Sequence, residues 1–162
     1  MDRISWKWPP PLWTKLNTDG SKRDDVQSAA GGGLLRDAAG AFIYGFSNNY
    51  GDISITIAEL LALRDGLQMA WSRRIPKIQV KVDSEVVLKL FLSSDTWEHP
   101  LHNVLGDCRQ FKRLSWEFAI AHTKREGNAC DDYLAKLGHY TISYQLWTDL
   151  PLLLMPFLAN NV

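Results

Sequence analysis

Apolar and polar positions change rhythm along the chain, alternating in some stretches and recurring at helical spacing in others. Lys15-Leu16-Asn17-Thr18-Asp19 reads as a strand that ends on a carboxylate and breaks on Gly20-Ser21. Polar residues 22–28 make a turn, and residues 29–36, loaded with glycine, read as a second strand. Asp37-Ala38-Ala39-Gly40 is a hairpin signal, followed by an aromatic-rich third strand over 41–49. Three successive antiparallel strands are expected. Leu60, Leu63, Leu67, Ala70 and Trp71 then recur at helical spacing, in a helix capped by Ser54 or Thr56. Ile78, Val80 and Val82 alternate along a fourth strand ending at Asp83-Ser84, and Val86, Val87, Leu90 and Phe91 mark a helix that starts at once. After a loop over 93–100, Leu101, Val104, Leu105 and Cys108 predict a helix to about residue 113. Trp116, Phe118 and Ile120 alternate as a fifth strand closed by Ala121-His122. A last helix runs from Asn128 to about Gly138, with Gly138 as its stop. The predicted fold is α/β: a five-stranded mixed sheet, three antiparallel strands then alternating strands and helices, flanked by helices.

A length of 162 residues suits one domain with a substantial core. Residues 1–11 form a Trp/Pro-rich arm, extended by Pro9, Pro10 and Pro11; residues 12–139 form the domain. The apolar tail, 140–162, is expected to pack back on that domain, with a protein-partner surface as the other reading. Lys+Arg and Asp+Glu balance at 18 each, so nucleic-acid binding would need a local basic face or metal ions. Cys108 and Cys130 form no CxxC pair and no zinc spacing, which points to a reducing compartment. The run Leu150 to Leu158 is short and interrupted by Pro151 and Pro156, so it cannot span a bilayer. A soluble intracellular monomer, nuclear or cytoplasmic, is the expectation.

Four acids carry the candidate chemistry. Asp19 and Asp83 end strands, Glu59 lies in the first turn of a helix, and Asp132 lies in the final helix. Glu59 and Asp83 each also admit a plain structural role, the first favoured by the helix dipole and the second as a helix cap. If the first and fourth strands are neighbours, Asp19 and Asp83 lie side by side and the other two flank them. Carboxylates so gathered repel one another, and hard divalent cations relieve the repulsion.

Asp19-Gly20-Ser21, Ala58-Glu59-Leu60, Val82-Asp83-Ser84 and His122…Asn128…Asp132-Tyr133-Leu134-Ala135 resemble the four motifs of ribonuclease H type 1. Trp-x-Pro-Pro, Lys-Leu-Asn-x-Asp-Gly-Ser and Arg125-Glu126-Gly127-Asn128 narrow the likeness to a plant branch related to retrotransposon RNase H. The resemblance implies an RNase H-like fold and cleavage of the RNA strand of RNA–DNA hybrids by two-metal hydrolysis. It makes Asp19, Glu59, Asp83 and Asp132 catalytic carboxylates that hold two Mg²⁺, with Mn²⁺ as a substitute. It makes His122 an aid to proton movement or product release, and places Gly20, Ser21, Ser84 and Asn128 at the substrate; Asn128 also caps the last helix. Arg73, Arg74, Lys77 and Lys81, or Arg109, Lys112 and Arg113, are candidates to face the DNA strand. Two features depart from the family pattern: Asp131 stands where a small apolar residue is usual, and residues 93–113 leave little room for a Trp- and Lys-rich hybrid-gripping helix. The alternative function is a catalytically weak or inactive RNase H-like module that binds nucleic acid or protein.

Overall fold

The structure, a computed structural model, describes residues 13–93, 98–124 and 129–149. The N-terminal arm, Trp97, residues 125–128 with Asn128 among them, and the tail beyond 149 lie outside the described residues. Strands β1 (Trp13–Arg23), β2 (Ser28–Arg36) and β3 (Phe42–Gly51) precede helix α1 (Ile55–Ser72), strand β4 (Lys77–Val82) and helix α2 (Glu85–Leu92). Helix α3 (His102–Arg109), strand β5 (Glu117–His122), helix α4 (Ala129–Leu137) and strand β6 (Gln145–Trp147) complete the order. The sheet runs β5-β4-β1-β2-β3-β6, with β1–β2–β3 antiparallel and β4 and β5 parallel to β1.

The mixed α/β architecture is the expected one, but the sheet has six strands rather than five. The sixth, β6, pairs antiparallel with β3, and the Trp147 indole donates to Ser47 Oγ at 2.9 Å. A three-residue strand is too short to show an alternation, so the pattern missed it. Strand β1 also outruns its prediction. It does not break at Gly20-Ser21, because β2 stays paired with it as far as Arg23↔Ser28. Its parallel partner β4 stops at Thr18↔Val82. Asp19 is therefore the first β1 residue beyond the end of β4, which leaves a notch in the sheet beside it. At the far end, α4 ends at Leu137 with Gly138 as its stop, and a 3₁₀ turn continues from Gly138 to Tyr140.

The two sheet faces are covered differently. On one, Leu16, Ile78 and Val80 form a buried cluster with Leu60, Leu63 and Leu67, the stripe that spaced α1 in the sequence. Full burial of such a side chain contributes roughly 1.5–3 kcal/mol. On the other, α4 lies against β2 with Leu34, Cys130 and Leu134 buried between them. Gly32 is required there, because a Cβ would sit 2.5 Å from the Ala135 backbone nitrogen. Both cysteines are buried and neither is in a disulfide. Among the described residues, no helix is long and apolar enough to cross a membrane.

Candidate metal centre

The notch at the end of β4 is the floor of a pocket of about 540 Å³, lined in part by Asp19, Glu59, Asp83 and Asp132. Each acid arrives by a separate local device. Asp19 follows the last β1–β4 pair, and Asp83 follows the last residue of β4. Ser84, not Asp83, caps α2, its Oγ accepting from the Val87 N–H at 3.1 Å. That leaves the Asp83 side chain for the pocket. Glu59 is not in the first turn of α1, whose N-cap is Ser54; it opens the second turn. The helix dipole falls off within a turn, so it does not explain a glutamate there. Gly20 lets α1 come this close: a Cβ on it would lie 2.7 Å from Glu59 Cγ and 2.9 Å from Glu59 N. Glycine here serves the packing of Glu59 over the strand.

One carboxylate oxygen each from Asp19, Glu59 and Asp83 lies within 4.8 Å of the others, a group able to hold a metal ion. Asp132 stands at the rim, 39% exposed at its side chain, paired with Lys136 at 3.1 Å one helical turn along. It still acts on Asp19. Burial, the charges of Asp83 and Asp132, a hydrogen bond with Asp132 and the charge of Glu59 together push the Asp19 carboxyl up to about 9. The Gly20 N–H donates to Asp19 Oδ1 at 2.9 Å, too little to offset that repulsion. A carboxylate group this crowded fits a divalent cation, which supplies the missing positive charge through oxygen ligands.

The remaining predicted residues are placed as follows. His122 ends β5 with an exposed ring, its Nε2 3.1 Å from the Asp83 backbone oxygen, so it stands beside the acids. Ser21 lines the pocket, but its hydroxyl is engaged by His139 Nε2 at 2.9 Å; the other ring nitrogen meets Ser28 Oγ at 2.8 Å. Ser84 is occupied as a cap, and Asn128 falls outside the described residues. The basic clusters separate. Arg73 lies over the Tyr44 ring, Lys77 pairs with Glu117 at 3.3 Å, and Arg109 binds backbone oxygens of Leu90 and Phe91 at the end of α2.

Sequence reasoning missed Lys22, Asp24, Ser54 and Ile55 in the pocket wall. Lys22 is tied to Asp52 at 3.1 Å and to the Ile53 oxygen at 2.8 Å. It also missed Arg36, buried on the α4 face. Asp131, flagged as an extra charge, is fully buried; burial first and then the Asp19 charge push its carboxyl up. No pattern marks Arg36, because a charge at a strand end reads as solvated.

Comparison with known proteins agrees with the motifs. The chain belongs to the reverse transcriptase-like family, whose model matches residues 17–138. It is 38% identical over 143 residues to an Arabidopsis thaliana protein that carries the provisional name of a ribonuclease H protein. That match covers 88% of this chain but 23% of the relative, so the chain spans about a quarter of its length. In fold it is similar to RNase H1 of the halophilic archaeon Halobacterium salinarum, with TM-score 0.71, 24% identity, and coverage of 78% of this chain and 96% of that one. It is likewise similar to LC11-RNase H1, solved in complex with an RNA/DNA hybrid, with TM-score 0.70, 21% identity, and coverage of 78% and 96%.

Proposed function

We propose that this reverse transcriptase-like chain is an endoribonuclease that cleaves the RNA strand of RNA–DNA hybrids and depends on divalent metal ions. The observation that carries the reading is the convergence of Asp19, Glu59 and Asp83 within 4.8 Å, with Asp132 on the same pocket. Similarity in fold to an RNase H1 solved with an RNA/DNA hybrid supports the substrate class. Asp19, Glu59, Asp83 and Asp132 would hold two Mg²⁺, or Mn²⁺ in its place. Such ions, when bound, make water a nucleophile at neutral pH and stabilise the leaving oxygen of a phosphodiester.

The chain's own groups do the rest. Asp19, on β1, and Asp83, directly after the adjacent β4, would fix the shared centre of the ligand set, held by the paired strands behind them. Glu59 is held over Gly20 by the packing of α1. Asp132, on the pocket wall and paired with Lys136 at 3.1 Å, would complete the set. The exposed His122 imidazole, its Nε2 3.1 Å from Asp83 O, would take or give a proton at the departing group. Gly20 and Ser21 line the pocket on which the RNA backbone would rest, and a 2′-hydroxyl is what would tell that strand from DNA.

The test is cleavage of a strand-labelled RNA–DNA hybrid in Mg²⁺ or Mn²⁺, beside duplex RNA and the Asp19→Asn and Asp132→Asn variants. Cutting confined to the RNA of the hybrid, and lost in both variants, is the expected result. A folded wild-type protein that binds hybrid but leaves it intact in both metals would make this a binding module instead.

A further inference from the structure

Where α4 ends, the chain is tied back to the strand that carries Asp19. Gly138, His139 and Tyr140 form the 3₁₀ turn that follows the helix. Gly138 lets that turn sit directly on the sheet: a Cβ on it would lie 2.5 Å from the Asn48 backbone oxygen on β3 and 2.9 Å from Ala30 Cβ on β2. Thr141 closes the turn, its Oγ1 donating to the Gly138 oxygen at 3.0 Å. His139 then bonds two strands at once, with Nε2 2.9 Å from Ser21 Oγ on β1 and Nδ1 2.8 Å from Ser28 Oγ on β2. Burial, followed by the Arg23 charge, lowers the pKa of the ring against the opposing charge of Asp25. A neutral imidazole offers one donor and one acceptor, and the two hydroxyls answer both.

The acids on either side of this clamp give it its interest. Ser21 stands two residues beyond Asp19 on β1, so both share the face of the sheet that α4 covers. His139 follows Asp132 by seven residues, along α4 and its closing turn. One ring therefore connects the strand of Asp19 to the helix of Asp132. The apolar contacts beneath α4, Leu34 with Cys130 and Leu134, have no direction of their own. They press the helix onto the strand without fixing it along its axis. Directed bonds do fix it: Ser47 Oγ donates to the Leu134 oxygen at 2.6 Å, and His139 holds the end. Ser47 belongs to β3; of these two anchors, His139 is the one that reaches β1.

We propose that His139 is a positioning residue for the acid cluster: by bonding Ser21 and Ser28 it fixes the end of α4 on the β1–β2 pair, and so sets Asp132 against Asp19 and the affinity of the cluster for its metal ions. The proposal rests on the metal-site reading of the four acids.

The experiment titrates Mn²⁺ calorimetrically, with no nucleic acid present, into wild type, His139→Ala, Ser21→Ala, the double variant and Leu63→Ala, with Tm measured for each. Leu63→Ala, on the opposite face, is the control for lost stability alone. His139→Ala is expected to bind Mn²⁺ about 10-fold more weakly, the low end for residues that orient metal ligands. Ser21→Ala removes the same bond from the strand side, weakens binding in the same sense, and carries the test should His139→Ala not fold. The double variant binds no more weakly than His139→Ala, because the two changes delete a shared bond. Leu63→Ala melts lower and binds like wild type. Wild-type affinity in His139→Ala would overturn the proposal alone, leaving the histidine a contact of the fold. Equal weakening in Leu63→Ala would overturn it too, since lost stability would then account for the effect. Additive losses would overturn it by showing that Ser21 and His139 act apart. A wild type that binds no Mn²⁺ would overturn the metal-site reading and this proposal with it.

Discussion

On the α1 face of the sheet, Leu16, Ile78 and Val80 are buried with Leu60, Leu63 and Leu67; on the α4 face, Asn17, Asp19, Arg36 and Asp131 are buried beside Leu34 and Leu134. The same strands serve both faces, so the difference comes from alternate residues of one sequence. Apolar burial has no direction and tolerates small shifts, which suits a layer whose task is stability. Buried polar groups are costly and directional, which suits a layer that must hold carboxylates in fixed relation. The α1 face should therefore answer substitution with lost stability, and the acid end with lost chemistry.

Four substitutions test that division. Asp19→Asn should lower hybrid cleavage by about three orders of magnitude or more, since several kcal/mol of metal-borne stabilisation goes with it; steady-state kinetics in Mg²⁺ checks this. Leu63→Ala should cost about 2–5 kcal/mol. Its Tm should fall by about 5–15 °C while turnover per folded molecule at lower temperature stays near wild type. A Leu63→Ala protein that stays folded yet loses turnover would blur the two faces. His122→Ala should reduce kcat by about 100-fold with a smaller change in KM, the low end of what proton transfer contributes. Ser84→Ala should cost about 1 kcal/mol, a Tm drop of about 3 °C, through loss of the α2 cap.

Much of this was legible beforehand, for physical reasons particular to each element. Alternation exposed β4 because its inward residues are Ile78, Val80 and Val82, and helical spacing exposed α1 through Leu60, Leu63 and Leu67. Asp19 and Asp83 were legible because they stand where the β1–β4 pairing ends, and Glu59 and Asp132 because their motifs follow in order on helices. Three features were not. The end of β1 was misread because Gly20-Ser21 looks like a break, whereas Gly20 is demanded by Glu59 packing on a strand that continues. Strand β6 was too short to carry a pattern. Arg36 carried no signal of burial in the sequence, since its burial depends on α4, more than ninety positions later.

The acid cluster should also weaken the metal-free fold. Asp19 is pushed up to about 9 from its ordinary 3.8, so between those values the folded state binds more protons than the unfolded chain. The contribution of Asp19 to metal-free stability is then fully present below about pH 4 and is lost as pH rises toward about 9. Asn at position 19 removes the titrating group and its repulsion. The most direct measurement is thermal unfolding of wild type and Asp19→Asn, both metal-free, at about pH 8. The account predicts that the variant melts higher, by about 3 °C, the shift about 1 kcal/mol produces in a chain of this size. A variant that melts lower than wild type would contradict it, showing that Asp19 serves the fold and not a site held at the fold's expense.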